Sequence, residues 1–178
     1  MRLTLVTGPA RSGKSEWAEI LAKRSGKPVS YVATAQLNAE DLEWQARIEQ
    51  HQQRRPTDWQ TLSVPIELAA TIQTAAPNEC LLVDSLGTWV TNLLDQNSDD
   101  WKSTCENLLD SLSQTASEVI LVAEETGWGV VPAYPMGRTF RDRLGMLVRR
   151  VGAIANPVYL VTGGHILNLS QLGSPLSD

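Results

Sequence analysis

A glycine-rich segment near the N-terminus carries the residues best suited to phosphate chemistry. It has the pattern G-x-x-x-x-G-K-S, with an apolar, strand-like run before it and a helix-like run after it. Its glycines allow backbone angles that let free N–H groups wrap a polyphosphate at the positive end of a helix dipole. Lys14 can then act catalytically on the β- and γ-phosphates, and the hydroxyl of Ser15 can bind Mg²⁺. The predicted phosphate-binding loop consists of Gly8, Pro9, Ala10, Arg11, Ser12, Gly13, Lys14 and Ser15.

A predicted buried strand that ends in an acid supplies the expected metal partner of this loop. Residues 80–84 form an apolar run that ends at Asp84. This is the Walker B pattern, in which the carboxylate helps to hold Mg²⁺. Many strands end in Asp, so this pattern alone is weak evidence for a metal site. The phosphate-binding loop in the same chain strengthens it. We therefore predict that Ser15 and Asp84 bind the metal ion.

The third candidate is a histidine in a helix predicted over about 38–55. The apolar residues of this helix form no clean stripe, so we expect it to project from the domain. Spacings of three and four residues surround His51 with a basic group made of Arg47, Arg54 and Arg55. Positive neighbours favour the neutral imidazole, which is the nucleophilic form. From spacing alone, a solvated basic helix end with His51 as a bystander is the simpler interpretation.

Polar residues at the ends of other predicted strands indicate further ligand contacts. Thr34 follows the strand over 29–33, at the edge where α/β sheets bind ligands. The glycine-rich segment 127–132 follows another strand and is either a mobile lid or an ordinary loop. Arginines at the start of the last long helix can clamp phosphate or pair with nearby acids. These arginines are Arg138, Arg141 and Arg143, and the acids are Asp142 and Glu124.

Apolar runs that alternate with helical patterns predict the fold. Buried strands are predicted over 2–7, 29–33, 80–84, 119–123 and 158–162, with a connector of short strand character over 59–66 and a short final strand at 166–167. Helices are predicted over 14–25, 66–76, 85–94, 101–116 and 138–155, with a loop over 97–100. This alternation indicates an α/β fold with a mostly parallel central sheet and helices on both faces. With the phosphate-binding loop, it predicts a P-loop NTPase of RecA-like type, as a single domain over residues 1–178.

Composition disfavours several other classes of function. The formal net charge of −5 argues against a general role in binding nucleic acid or anionic membranes. We expect no membrane span and no signal peptide, because no apolar run is long enough and the N-terminus runs straight into a strand. Cys80 and Cys105 lie among apolar residues and are expected to be buried thiols in a reducing cytosol. We therefore predict a cytoplasmic protein.

Six sequence blocks occur together in one order. They are GPARSGKS at 8–15, YVATA at 31–35, RI with His51 and RP within 47–56, LVD and WVTNLL within 82–94, ETGWGVVP at 125–132 and FRD at 140–142. In these blocks the chain resembles the bifunctional adenosylcobinamide kinase/adenosylcobinamide-phosphate guanylyltransferase family of cobalamin biosynthesis. The resemblance covers nearly the whole length and is far more specific than the phosphate loop alone.

The resemblance implies two reactions. A nucleoside triphosphate, ATP or GTP, first gives its γ-phosphate to the aminopropanol hydroxyl of adenosylcobinamide. A histidine then takes GMP from GTP, and the substrate phosphate takes it from the histidine, giving adenosylcobinamide-GDP. The motif histidine falls on His51, so the basic group around it becomes a seat for phosphates. Mg²⁺ is the implied cofactor, and ATP and GTP are the implied nucleotide substrates.

The resemblance also implies the partners and further site residues. The partners are nucleotide and the corrinoid, with no nucleic acid, and the implied assembly is a homotrimer. Besides the loop and Asp84, nucleotide contacts are implied for Ala33, Thr34, Ala35, Gln52, Gln53, Arg54, Arg55 and Ser63.

The sequence departs from the family pattern at three places. Ser63 stands where a glutamate is common, Glu124 where an asparagine is usual, and Val148-Arg149 where an Asn-Gln pair is usual. The first two can alter the preference for nucleotide or corrinoid. Two alternatives therefore stay open. One is a protein with a single activity of the two, and the other is a P-loop switch that binds nucleotide and signals without corrinoid turnover.

Overall fold

The computed structural model describes residues 2–36 and 56–176. The helix predicted over 38–55, with His51, Gln52, Gln53, Arg54 and Arg55, lies outside the described residues. The described elements, in chain order, are β1 (Arg2–Gly8), α1 (Lys14–Arg24), β2 (Val29–Ala33), β3 (Gln60–Ser63), α2 (Leu68–Thr74), β4 (Cys80–Asp84), α3 (Leu86–Asn92), α4 (Ser98–Gln114), β5 (Glu118–Glu124), α5 (Pro135–Ile154), β6 (Val158–Thr162), β7 (His165–Asn168) and α6 (Leu169–Leu172).

These strands form one sheet in the order β3-β2-β4-β5-β1-β6-β7. All neighbouring pairs are parallel except β6 and β7, which are antiparallel. β5 separates the strand that leads into the phosphate loop from the strand that ends at Asp84, which is the arrangement of RecA-like P-loop folds. The predicted fold class is therefore confirmed. Because the six parallel strands share one direction, their carboxyl ends meet at one edge of the sheet.

The core has two layers, one on each face of the sheet, because alternate strand residues point to opposite faces. Leu121 of β5 packs with the buried residues of α2, α3, α4 and α5. Ile120 and Val122 of the same strand pack with Ala18 and Ala22 of α1 on the other face. The prediction of helices on both faces is thus confirmed, with four helices on one face and α1 on the other within the described residues.

The edge strands explain why the sheet is wider than the five buried strands of the sequence pattern. β3 and β7 are largely exposed, so they lack the continuous apolar run that identifies a buried strand. β7 follows β6 through Gly163 and Gly164, whose φ angles are +56° and +76°. Positive φ at both central residues suits a two-residue hairpin turn. The predicted final strand at 166–167 is therefore the middle of a longer strand.

Two helices begin earlier than the sequence pattern indicated. The prediction of a loop over 97–100 is wrong for residues 98–100, which form the first turn of α4. Asn97 is the N-cap of this helix. The Asn97 Oδ1 atom accepts hydrogen bonds from the backbone N–H groups of Asp99 and Asp100, both at 3.0 Å. α5 begins at Pro135, a residue that suits the first turn of a helix because it lacks an N–H. The first turn of α4 is polar, and the first turn of α5 contains Pro135 and Gly137, so neither turn continues the apolar periodicity of its helix.

Both cysteines are free and buried, which confirms the prediction of buried thiols. Burial raises the pKa of the Cys105 thiol to about 11, although Arg150 and Arg143 oppose this shift. A thiol with so high a pKa stays protonated at neutral pH and is a poor nucleophile and metal ligand. Within residues 2–36 and 56–176, no helix is both long enough and apolar enough to cross a membrane.

The central position of β5 predicts a large cost for truncating its buried side chains. Leu121 is fully buried at 0% exposure. We expect Leu121→Ala to lower the free energy of unfolding by ~3 kcal/mol, because it removes packed methyl groups and leaves a cavity. Urea denaturation measures this change. Leu172→Ala is the matched control, since Leu172 is 70% exposed and should change stability by less than ~0.5 kcal/mol. Equal losses in the two variants would contradict the assignment of β5 to the core.

Candidate nucleotide-binding site

The phosphate loop connects β1 to α1, as the sequence pattern predicts. A Cβ atom on Gly8 would overlap the backbone carbonyl oxygen of Val161, so the close approach of β6 requires glycine here. Gly13 has φ +90° and Arg11 has φ +58°, which places both in the left-handed region. α1 begins directly after Gly13. The loop therefore lies at the positive end of an 11-residue helix, where anions are favoured.

Two side chains of the loop are suited to a phosphate ligand. Lys14 is only 6% exposed, and its Nζ atom donates a hydrogen bond to the carbonyl oxygen of Pro9 at 3.3 Å. The ammonium group therefore lies over the loop rather than in solvent. The Ser12 Oγ atom is buried and has no hydrogen-bond partner among the described residues. A buried hydroxyl without a partner fits a ligand oxygen, because buried polar atoms in native proteins are almost always paired.

Asp84 lies at the same sheet edge, at the end of β4. In the register of the sheet, Asp84 is level with Ala33 of β2 and Val122 of β5, while Gly8 of β1 is level with the last residue of β5. The hydroxyl of Tyr31 donates a hydrogen bond to the Asp84 Oδ2 atom at 2.9 Å, which holds the carboxylate at the edge. The structure thus brings the loop and the acid to one edge, with β5 between their strands.

The residues beside Asp84 are held by a buried polar network. The Thr34 Oγ1 atom donates to the carbonyl oxygen of Ser85 at 2.8 Å and accepts from the Ser85 N–H at 2.9 Å. Glu124 accepts hydrogen bonds from the Ser85 hydroxyl at 2.6 Å and from the Gly87 N–H at 2.9 Å. Pairing with Glu124, which was part of one of the two roles left open for the arginines of α5, is therefore not what the structure shows. Glu124 instead ties the end of β5 to the first turn of α3.

Glu125 is the acid of this edge that sequence reasoning assigned no chemical role. The Thr7 hydroxyl donates a hydrogen bond to the Glu125 Oε1 atom at 2.6 Å. The Glu125 N–H donates to the carbonyl oxygen of Gly8 at 3.0 Å. The only available signal was an acid directly after a buried strand, and the sequence could not show that this strand lies beside β1. The structure therefore adds a carboxylate next to the phosphate loop.

The three predicted arginines of α5 have partners away from the phosphate loop. Arg138 donates hydrogen bonds to the carbonyl oxygens of Pro132 and Ala133 at 3.0 and 2.7 Å. Arg143 donates to three backbone carbonyl oxygens between α3 and α4. Arg141 forms an ion pair with its neighbour Asp142, with 2.8 Å between the closest atoms. Pairing with an acid was one of the two roles predicted for these arginines. Of the two predicted roles, the structure thus shows pairing with an acid for Arg141 and backbone partners for Arg138 and Arg143.

The remaining predicted contacts are spread along the edge. Ala33 and Ala35 are partly buried near Asp84, while Thr34 is fully buried in the network described above. Ser63 ends the exposed edge strand β3, which β2, β4 and β5 separate from β1. At the usual strand spacing this is roughly 19 Å from the phosphate-loop strand. The structure therefore does not bring Ser63 to the phosphates. The described residues also contain no cluster of three or more His, Cys, Asp or Glu side chains that could hold a metal.

Residues 4–169 match the family model described as cobinamide kinase / cobinamide phosphate guanyltransferase. The chain belongs to this family. The resemblance inferred from the sequence blocks is thus confirmed, and the family is one of bifunctional enzymes.

Two relatives in this family are similar over almost their whole length. The bifunctional adenosylcobalamin biosynthesis protein CobP of Pseudomonas aeruginosa is 43% identical over 176 residues, which cover 97% of this chain and 98% of that protein. The corresponding CobU protein of Escherichia coli is 38% identical, covering 91% of this chain and 96% of that protein. A solved structure from Pyrococcus horikoshii has a TM-score of 0.58 at 8% identity, over 99% of this chain and 94% of that chain. That likeness concerns the fold alone.

Proposed function

We propose that this chain phosphorylates adenosylcobinamide with ATP or GTP. It then transfers GMP from GTP through His51 to adenosylcobinamide phosphate, giving adenosylcobinamide-GDP. The observation that carries the proposal is the family match over residues 4–169. The geometry of the phosphate loop supports it, because Gly8, Gly13 and Lys14 form a cradle suited to a triphosphate.

In the proposed kinase step, the loop holds the triphosphate and Lys14 neutralises charge on its β- and γ-phosphates. Mg²⁺, when bound, neutralises further charge on the transferring phosphate. The Ser15 hydroxyl and the Asp84 carboxylate supply oxygen ligands, which this ion prefers. Two protein ligands with phosphate and water are a usual set for Mg²⁺, so the donor set fits without a larger acidic cluster. Tyr31 would keep the Asp84 carboxylate in place through its 2.9 Å hydrogen bond.

In the proposed guanylyl transfer, a neutral imidazole nitrogen of His51 attacks the α-phosphorus of GTP, and pyrophosphate leaves. The resulting P–N bond then breaks when the phosphate of adenosylcobinamide phosphate attacks the same phosphorus. Arg54 and Arg55 would stabilise the charge that develops on the phosphates. Further contacts to the nucleotide are proposed for Ala33, Thr34, Ala35, Gln52, Gln53 and Ser63. The roles of His51, Arg55, Ala33, Thr34 and Ala35 rest on the sequence blocks shared with the family. Gln52, Gln53 and Arg54 lie between the residues of those blocks, and Ser63 stands where the family commonly has a glutamate.

The proposed setting of the enzyme also follows from the family resemblance. We propose a cytoplasmic homotrimer in which nucleotide and corrinoid sites use residues of more than one subunit.

Product analysis tests the proposed function. The purified chain is incubated with adenosylcobinamide, GTP and Mg²⁺, and the corrinoids are identified by chromatography and mass spectrometry. We expect adenosylcobinamide phosphate first and adenosylcobinamide-GDP later. Without corrinoid, we expect a covalent GMP adduct that is labile in acid and stable in base, as a phosphoramidate is. A kinase alone would form the phosphate without the adduct, and a nucleotide switch would turn over no corrinoid.

A further inference from the structure

Glu125 places a carboxylate directly beside the phosphate loop. Its backbone N–H is bonded to the Gly8 carbonyl oxygen at 3.0 Å, and its Oε1 atom accepts the Thr7 hydroxyl at 2.6 Å. Both partners belong to the last two residues of β1. Both the backbone and the side chain of Glu125 are therefore hydrogen-bonded to β1. Because β1 leads into the phosphate loop, these bonds fix the carboxylate relative to the loop.

One oxygen of this carboxylate remains available for chemistry. Among the described residues, Glu125 Oε2 has no hydrogen bond or ion pair, and the residue is only partly buried. The neighbouring Glu124 differs, because both of its oxygens accept hydrogen bonds, from Ser85 and Gly87. Of the two adjacent acids, Glu124 is occupied in holding α3, whereas Glu125 can accept a proton from a bound molecule.

The carboxylate also lies at the appropriate end of the loop. The Lys14 Nζ atom, which meets the β- and γ-phosphates in such loops, is bonded to the Pro9 carbonyl oxygen. Pro9 follows Gly8, whose carbonyl oxygen accepts the Glu125 N–H. The ammonium group and the Glu125 backbone therefore contact consecutive peptide units of the loop, and the Glu125 carboxylate contacts the Thr7 hydroxyl one residue earlier. Because Lys14 meets the β- and γ-phosphates in such loops, this arrangement supports a role for Glu125 on the γ-phosphate side of the site.

We propose that Glu125 is the general base of the kinase half-reaction. The aminopropanol hydroxyl of the corrinoid gives its proton to the Glu125 Oε2 atom as its oxygen forms a bond to the γ-phosphorus. The bond between the γ-phosphorus and the β,γ-bridging oxygen breaks, and the nucleoside diphosphate leaves with that electron pair. The proton on Glu125 passes to solvent after product release. Thr7 holds the other oxygen, so Oε2 stays directed to the acceptor.

This assignment rests on the proposed function, and it separates the two half-reactions. An alcohol is a weak nucleophile unless its proton is removed, so the kinase step benefits from a base. Neutral imidazole carries its lone pair already, and a phosphate monoester is an anion, so neither step of guanylyl transfer needs one. Loss of the base should therefore slow phosphorylation of the alcohol and leave guanylyl transfer largely intact.

Glu125→Gln tests this separation with little change in shape. The glutamine oxygen still accepts the Thr7 hydroxyl, while the amide group cannot accept the proton. With adenosylcobinamide as acceptor, we expect the kinase kcat to fall ~10²–10⁴-fold with little change in KM for nucleotide or in the Mg²⁺ concentration needed. With chemically prepared adenosylcobinamide phosphate as acceptor, formation of adenosylcobinamide-GDP should proceed at close to the wild-type rate. Glu106→Gln, on the exposed surface of α4, is the matched control and should leave both rates unchanged.

Three other outcomes would overturn the assignment. A kinase rate that recovers at high Mg²⁺ would make Glu125 a metal ligand instead of a base. An equal loss in both half-reactions, with an unchanged thermal midpoint, would make it a general part of the nucleotide cradle. An unchanged kinase kcat would exclude a catalytic role. Failure of the proposed function would give a different result, because the wild-type chain itself would then form no phosphorylated corrinoid.

Discussion

Lys14→Ala is expected to lower both half-reactions by ~10²–10³-fold in kcat/KM. In the structure the ammonium group is nearly buried and lies over the loop, bonded to the Pro9 carbonyl oxygen. It is therefore positioned before any phosphate arrives, and it stabilises transition-state charge without reorganisation. A single triphosphate cradle would serve γ-phosphate transfer and α-phosphate transfer alike. Removing its cation should accordingly weaken both, which separate assays of the two products would measure.

The control for this change is Lys23→Ala, which removes an exposed lysine from the last turn of the same helix. It changes the net charge by the same amount and leaves the loop untouched, so both rates should stay close to wild type. Thermal unfolding of each variant reports whether the fold is retained. If Lys14→Ala slowed only one half-reaction, the chain would need a second triphosphate site, and a shared cradle would be contradicted.

The parts of the fold that the sequence predicted best are those set by local pattern. β4 and β5 are continuous apolar runs because both of their faces are buried, and such runs identify strands of a parallel sheet. The phosphate loop was predicted because its glycines, Lys14 and Ser15 have a fixed spacing between a strand and a helix. In each case the residues that determine the structure lie close together in the chain.

The parts that the sequence did not predict depend on partners far away in the chain. The position of the Glu125 carboxylate depends on its hydrogen bond from Thr7, which is 118 residues away in the sequence. No local pattern indicates that β5 lies beside β1. Charge alone allowed Glu124 to pair with an arginine, but its carboxylate instead accepts a hydroxyl and an N–H at the start of α3. Strand order therefore decided which acids of the edge face the loop. Strand order is a property of tertiary structure that residue spacing does not contain.

The arginines of α5 illustrate the same difference. Their charge alone allowed a phosphate clamp, yet Arg143 is bonded to backbone carbonyl oxygens after α3 and stacks over the ring of Trp101. A chain turn leaves backbone carbonyl groups without partners in a helix or strand, and a guanidinium group can donate to several of them at once. Which carbonyl groups need a donor is known only once the positions of the loop and of α5 in the fold are known. Charge in the sequence therefore predicted the Arg141–Asp142 pair but not the backbone partners of Arg138 and Arg143.

His51→Ala is expected to abolish the covalent GMP adduct and to lower guanylyl transfer by roughly 10⁴–10⁶-fold, as loss of a nucleophile does in other covalent enzymes. The kinase half-reaction should stay near the wild-type rate, because the γ-phosphate passes directly to the alcohol. Incubation with radiolabelled GTP and Mg²⁺, followed by denaturing electrophoresis at alkaline pH, measures the adduct. Separate kinase assays on the same preparation show that the variant is folded and binds nucleotide.

The chain contains two histidines, so the second one is the natural control. His165 begins β7 and pairs with Thr162, at the same edge of the sheet as the carboxyl end of β6. Its Nδ1–H donates to the Gly163 carbonyl oxygen at 2.9 Å, so Nε2 is the ring nitrogen left to act as a nucleophile. His165 is thus chemically able to attack phosphorus, and its exposed position does not exclude it. His165→Ala should nevertheless keep the adduct, because Arg47, Arg54 and Arg55 lie within four residues of His51 in the sequence and can neutralise the attacked phosphates. An adduct that survived His51→Ala and disappeared in His165→Ala would move the nucleophile to the β6–β7 hairpin.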